Sequence, residues 1–229
     1  MYTLYIANKN YSSWSLRPWV LMRALSIPFE EKLVPFETNA NAAGQAFSIF
    51  SPTAKVPCLH DDAIVVWDSL AITEYLAERH IGVWPEDPFA RAWARAASAE
   101  MHSGFLALRE QCSMHVGFRI RLSQVSPLLQ QDIARIDALW CEGLRRFGGP
   151  FLAGATFTAV DAFFAPVSFR VQTYRLALSE QASAYASRLL ALESMRSWQA
   201  AALKEPWREL AHEASALNAG VLLADHRHL

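Results

Sequence analysis

Two short segments hold the side chains best suited to gripping and polarising a small anionic molecule. The first is Tyr11-Ser12-Ser13-Trp14-Ser15-Leu16-Arg17-Pro18. A proline is tolerated in a helix only in the first turn, where its missing N–H has no partner to lose. Pro18 therefore predicts a helix starting at about Trp14 to Arg17, with Ser12 and Ser13 in the loop before it or at its cap. A serine at such a place ordinarily does no more than cap the helix. The same hydroxyl beside a positive helix end also suits an anion such as a thiolate. The second segment is Lys55-Val56-Pro57-Cys58-Leu59, followed by Asp68-Ser69. Pro57 gives up a backbone donor inside a strand-like run, and is a candidate cis peptide that would expose the backbone of Val56. Asp68 and Ser69 bring a hydroxyl and free N–H groups to a helix start. Each half alone is a hairpin or a capped helix; together they would hold a short peptide bearing a carboxylate.

The remaining chemistry-bearing residues have plainer explanations. Phe157-Thr158-Ala159-Val160-Asp161 fits a capping box, with Thr158 at the cap and Asp161 three residues on. His60 falls in a turn, His80 near a helix end, His102 and His115 in a long helix or at its end, and His212, His226 and His228 in the tail region. No pair of them has metal-ligand spacing. There is no glycine-rich phosphate loop and no G-x-S-x-G elbow, which excludes zinc hydrolases, P-loop enzymes and α/β-hydrolases. Cys58, Cys112 and Cys141 form no C-x-x-C pair, and so sparse and odd a set fits a reducing compartment.

The elements that must position these groups fall into two sets. Residues 1–80 alternate strand and helix signals in the order β-α-β-α-β-β-α: strands over 3–7, 29–34, 56–59 and 64–67, the last two a hairpin around His60-Asp61-Asp62, and helices from Leu16 to about Ser26 and over 70–79. Residues 39–50 read as an irregular helical or loop segment. Residues 81–88 form a stiff linker, because two prolines in Trp84-Pro85-Glu86-Asp87-Pro88 discourage helix. Residues 89–229 read as helices almost without strands, over 89–112, 126–147, 159–176, 183–203 and 207–217. The expected fold is a small α/β N-terminal domain joined to an all-α C-terminal domain. The formal net charge is −1 and no basic run occurs, so nucleic acid is not an expected partner. No apolar run approaches the roughly 18 residues that span a bilayer, and Met1 to Ile6 reads as a strand and not a signal peptide. A cytoplasmic protein is expected.

In this order and context, the motifs resemble those of the cytosolic glutathione transferase family, over nearly the whole chain, which implies an α/β thioredoxin-like N-terminal domain (βαβαββα) followed by an all-α C-terminal helical domain. Ser12-Ser13-Trp14-Ser15-Leu16-Arg17 resembles the serine-type active-site segment, nearest in shape to zeta-like bacterial members. Lys55 to Leu59 with Asp68-Ser69-Leu70-Ala71-Ile72 resembles the glutathione site, and residues 157–161 the capping box of the helical domain. The resemblance implies that Val56, before Pro57, pairs its backbone with the cysteinyl unit of glutathione. It implies that Ser69 and the helix start hold the γ-glutamyl carboxylate, Asp68 the ammonium, and Lys55 lies near the glycyl carboxylate. Ser12 or Ser13 (or Ser15) would donate to the sulfur. Lowering a thiol pKa from about 8.5 by about two units takes roughly 2.7 kcal/mol of thiolate stabilisation, within reach of one hydroxyl plus a helix N-terminus. Trp14, Met101, His102, Phe105 and Arg109 are the expected wall of a pocket for a small hydrophobic electrophile. The implied activity is glutathione conjugation by a homodimer, with glutathione as co-substrate and no metal. Isomerase or peroxidase chemistry on the same site, or a non-catalytic binding or scaffold role, are the alternatives. Trp14 stands where the zeta pattern has a cysteine, which weighs against the zeta-type isomerisation, and the lack of a cysteine there weighs against thiol-disulfide exchange.

Overall fold

The structure is a computed structural model describing residues 1–36 and 43–227. Its first part has the expected element order: β1 (Tyr2–Ile6), α1 (Ser13–Ala24), β2 (Phe29–Leu33), α2 (Ala43–Ser48), β3 (Cys58–Asp61), β4 (Ile64–Trp67) and α3 (Ser69–Ala77). Of the irregular segment expected over 39–50, residues 39–42 lie outside the described residues. The four strands form one sheet in the order β2-β1-β3-β4, with β1 parallel to β2 and antiparallel to β3. Alternation along β1 explains its two faces. Leu4 and Ile6 are buried with Leu16 and Val20 of α1 and Ile72 and Leu76 of α3. Tyr5 points the other way and stacks on Phe50, with ring centroids 4.3 Å apart, beside Phe47 and Cys58.

Three local expectations need correction. The helix α1 begins at Ser13, so Pro18 lies in its second turn, inside the helix. His60 and Asp61 belong to β3; the hairpin turns at Asp62-Ala63, where Asp62 takes a left-handed φ of 51° that aspartate tolerates. The strand β3 starts at Cys58, after a cis Val56-Pro57 peptide, so Val56 sits in the loop before it.

The second part comprises α4 (Pro88–Ser103), α5 (Leu106–Gln111), β5 (Phe118–Leu122), α6 (Pro127–Arg146), α7 (Ala159–Tyr174), α8 (Glu180–Ala191), α9 (Glu193–Leu203), α10 (Leu210–Asn218) and β6 (Gly220–Asp225). The single helix expected over 89–112 is two. Gly104 ends α4, and a Cβ there would lie 2.9 Å from the Glu100 carbonyl oxygen. Phe105 then adopts a left-handed conformation before α5. The helix expected over 183–203 also divides, at Leu192, whose extended backbone separates α8 from α9. A two-stranded antiparallel ribbon, β5–β6, is added to the helical part. His115, expected in a helix or at its end, lies in the loop between α5 and β5. The capping box forms as expected: Thr158 N–H donates to Asp161 Oδ2 at 2.9 Å. The buried Asp161 also accepts from Leu152 N–H and from Tyr185. One continuous apolar core runs through both parts, because α1 packs against α7 and α9 as well as the sheet.

Candidate active site

A cavity of about 500 Å³ opens at the N-terminus of α1. Ser12, Ser13 and Trp14 line it together with Lys55 and Val56 from the loop before β3, and Arg109 from α5. Two parts of the chain that lie forty residues apart in sequence are thus brought to one surface, as the expected site requires. Val56 makes no backbone hydrogen bond among the described residues, so its N–H and C=O are open to an extended peptide.

The serines differ in their partners. Ser12 is the N-cap of α1: its Oγ accepts from Ser15 N–H at 3.3 Å. Ser12 Oγ also donates to Ser15 Oγ at 2.7 Å, and Ser15 Oγ accepts from Ala7 N–H at 3.2 Å. Ser15 is fully buried, so in this arrangement its own hydroxyl proton has no acceptor. Hydroxyl rotors reverse readily. If Ser15 donates to Ser12 instead, every group of the relay is satisfied and the Ser12 proton is free for the cavity. Ser13, the first residue of the helix, makes no side-chain hydrogen bond among the described residues. Tyr11 also lines the cavity, but its hydroxyl donates to Glu213 Oε1, and burial together with that contact raises its pKa to about 12. Its proton is therefore committed elsewhere.

The start of α3 is built differently. Asp68, at a left-handed φ of 73°, caps the helix with Oδ1 accepting from Leu70 N–H at 2.8 Å and Ala71 N–H at 3.4 Å. Its other oxygen lies 3.4 Å from His102 Nε2. Ser69 is 1% exposed, and its Oγ has no hydrogen-bond partner. Neither residue lines the cavity itself; Asp68 lines a neighbouring groove along β4 and α3. His102 connects the two regions, because its ring packs edge-on against Trp14 at 5.3 Å. Burial lowers the His102 pKa and Asp68 opposes that shift.

The remaining expected residues are dispersed by the break at Gly104. Trp14 and Arg109 stay on the cavity, stacked with the guanidinium 4.8 Å from the ring centroid. Met101 and Phe105 are buried in the core and do not line it. Pro57 is buried behind Val56. The cavity gains residues that sequence reasoning did not select: Tyr11, Phe36, Phe47, Met114, Arg170 and His212 among them. Arg170 is the single Lys or Arg of helix α7, which sets it apart in the sequence without placing it on this cavity. Phe36, His212 and Tyr11 form a continuous stack, with centroid spacings of 5.2 and 5.3 Å.

The loop leading into α1 is anchored from the far end of the chain. Glu205 accepts from Lys9 N–H at 2.6 Å and Asn10 N–H at 3.2 Å, and the Lys9 carbonyl accepts from Trp198 Nε1 at 2.8 Å. Burial raises the Glu205 pKa to about 7, against those two amide bonds. Glu213 joins Tyr11, His115 and Arg227. His115 Nδ1 accepts from Phe118 N–H, so the proton sits on Nε2 and points at Glu213. Glu213 itself is desolvated, but hydrogen bonds from His115, Arg227 and Tyr11 outweigh that and hold its pKa down to about 2. Among the described residues no cluster could hold a metal ion, and no helix is long and apolar enough to cross a membrane.

Comparison with known proteins follows the same lines. Residues 11–79 match the family described as glutathione S-transferase, N-terminal domain. A probable maleylacetoacetate isomerase from Caenorhabditis elegans is 27% identical over 184 residues, covering 77% of this chain and 81% of that protein. Among solved structures, a glutathione transferase homologue from Burkholderia, crystallised with bound glutathione, superposes with a TM-score of 0.64 and 23% identity, over 88% of this chain and 97% of its own. Glutathione S-transferase unclassified 2 from Bombyx mori superposes with a TM-score of 0.68 and 17% identity, over 96% and 99% of the two chains. With the serine at the cap of α1 and the open backbone at Val56 on one cavity, residues 11–79 are similar to the N-terminal domain of glutathione S-transferases, and the chain shares the fold of these solved structures.

Proposed function

We propose that this protein binds glutathione along Val56 and the start of α3, and activates its thiol with Ser12 for attack on a small electrophile. The observation that carries the reading is the Ser12–Ser15–Ala7 relay at the cap of α1, opening on the same cavity as the unpaired backbone of Val56. The oxygen of Ser12 faces the positive helix end, which polarises its O–H toward an incoming thiolate. Val56 gives the cysteinyl unit a strand-like partner. Ser69, buried and unpartnered, suits the γ-glutamyl carboxylate, Asp68 the ammonium, and Lys55 the glycyl carboxylate. Residues 1–80 then serve as the glutathione-binding domain, 81–88 as the linker, and 89–229 as the domain that supplies the second-substrate side. The family relationship favours a homodimer, and a cytoplasmic location is consistent with the three free cysteines.

Isomerase chemistry is the second reading, favoured by the maleylacetoacetate isomerase relatives. Trp14 instead of a cysteine at that place favours conjugation. Titration calorimetry with glutathione and the pH profile of thiolate absorbance test the proposal. Glutathione is expected to bind in the micromolar to millimolar range, with the bound thiol ionising about two pH units below its free value. Ser12→Ala is expected to raise that pKa by about one unit, and Ser13→Ala to leave it within about 0.3. The reverse pattern transfers the role to Ser13, whose hydroxyl is free; no change in either variant excludes serine activation. No heat on adding glutathione excludes the whole reading.

A further inference from the structure

Beside the serines the cavity has a second electrostatic feature, built by the helical part. Arg17 from α1, Arg109 from α5 and Arg170 from α7 lie close enough to depress one another's proton affinity. Arg17 and Arg170 are 1% and 4% exposed. Among the described residues none of the three makes an ion pair; their contacts are backbone carbonyls and aromatic faces. Arg17 reaches the Met101 carbonyl at 3.5 Å and lies over the rings of Trp14 and Phe163 at 4.2 and 4.9 Å. Arg109 donates from Nε to the Gly104 carbonyl at 2.9 Å and from Nη2 to that of Met101. Arg170 donates from Nε to the Cys112 carbonyl at 2.8 Å. Arg170 Nη1 and Arg17 Nε and Nη1 are buried without any partner.

A buried charge with no counter-ion is costly, and three together more so. Burial and mutual repulsion lower the Arg170 pKa to about 10, which leaves it cationic at neutral pH. Arg109 and Arg170 both line the cavity, together with Lys55, and among the described residues no Asp or Glu lines it. Among the described residues the carboxylates that act on Arg17 and Arg109 are Asp68, already capping α3, and Asp132, which accepts from Leu108 N–H. Around them the lining is aromatic and apolar: Trp14, Phe36, Phe47 and Met114.

We infer that the second substrate is itself an anion, an electrophile carrying a carboxylate that Arg109 and Arg170 receive while its apolar body lies against Trp14 and Met114. This inference rests on glutathione occupying the Val56 and α3 side, which has its own carboxylate sites at Lys55 and Ser69. It changes the expected substrate from a neutral hydrophobic molecule to an amphipathic acid. A guanidinium recognises a carboxylate with two parallel N–H donors, and Arg170 has both Nη groups unengaged among the described residues.

The test is calorimetric titration of the glutathione-free protein with ethacrynate, an unsaturated ketone that bears a carboxylate, and with its methyl ester. Ethacrynate is expected to bind about tenfold or more tightly than the ester. Arg109→Gln is expected to bring that ratio close to one. Equal binding of acid and ester, or a preference that survives Arg109→Gln, overturns the inference. The wild-type ratio decides the matter by itself if the variant does not fold. Repeating the titration with saturating S-methylglutathione, whose blocked sulfur cannot add to the ketone, separates the two readings. Displacement of ethacrynate by S-methylglutathione assigns the arginines to glutathione's own carboxylate and overturns the inference. Retention of the acid preference in a protein that binds no glutathione upholds the anion site and refutes the function proposed above.

Discussion

The starts of α1 and α3 are the same structural device, left uncharged at one helix and made negative at the other. At α1 the cap is a neutral serine, so the positive end of the helix remains open toward the cavity. At α3 the cap is the carboxylate of Asp68, which already occupies the N–H groups of Leu70 and Ala71. One end can therefore favour a bound thiolate. The other has its dipole answered from within, so under the proposed function a zwitterionic group there is shared between the Ser69 hydroxyl and Asp68. Their anchoring also differs. The cap of α3 is local, two residues from the Leu70 N–H that donates to it. The approach to α1 is pinned by Glu205, nearly two hundred residues away.

The largest effect should come from giving α1 the start that α3 has. Ser12→Asp keeps a good N-cap, so stability should change by no more than about 0.5 kcal/mol. The added negative charge beside the sulfur should raise the thiol pKa and reduce turnover at neutral pH by about a hundredfold or more. Retained activity in that variant would remove the contrast between the two helix ends.

A smaller effect probes the distant anchor. The folded-state pKa of Glu205, about 7, lies above its ordinary 4.5. Its protonated form is therefore the one the fold prefers, and that stability is complete below about pH 4.5 and lost as pH rises through about 7. Glu205→Gln does not titrate. Denaturant melts of the two proteins should show the wild type losing about 3 kcal/mol relative to the variant across that window. Parallel curves would mean that the carboxylate is not desolvated as the structure has it.

The smallest effect separates cap from ligand at α3. Asp68→Asn preserves the cap, so stability should hold within about 0.5 kcal/mol. Glutathione affinity should fall by about fivefold, the scale of a part-exposed ion pair, while a desamino analogue should bind both proteins alike. A loss that is equal for both ligands would give Asp68 a purely structural role.

What was legible in the sequence follows the same division between local and distant. The strand and helix order of residues 1–80, the cap at Asp68 and the box at Thr158 to Asp161 are written in neighbouring residues, and they form as read. The break between α4 and α5 had a glycine to mark it, but the apolar repeat continues across Gly104 and hides it. The break at Leu192 has neither glycine nor proline. The ribbon β5–β6 pairs segments a hundred residues apart, and neither is a strand without the other. The cavity shows this most clearly. Ser12, Lys55 and Val56 belong to readable motifs. Arg170 and His212 reach the same space only through the packing of α7 and α10, which no local pattern encodes. Met101 and Phe105 share a helical spacing with Arg109 on paper and lose it at the turn after Ser103.

The anchoring of the loop before α1 also sets an order of events during synthesis. The ribosome makes Lys9, Asn10 and Tyr11 almost at once, but Trp198, Glu205 and Glu213 follow 189 to 202 residues later. At about 5–20 residues per second, that interval is roughly 10 to 40 seconds. During it the sheet and α3 can assemble beneath a loop whose amides have no acceptor. A nascent chain is thus folded in part long before it is competent, and a fragment ending short of Glu205 would keep both serines yet lack the hold that aims them.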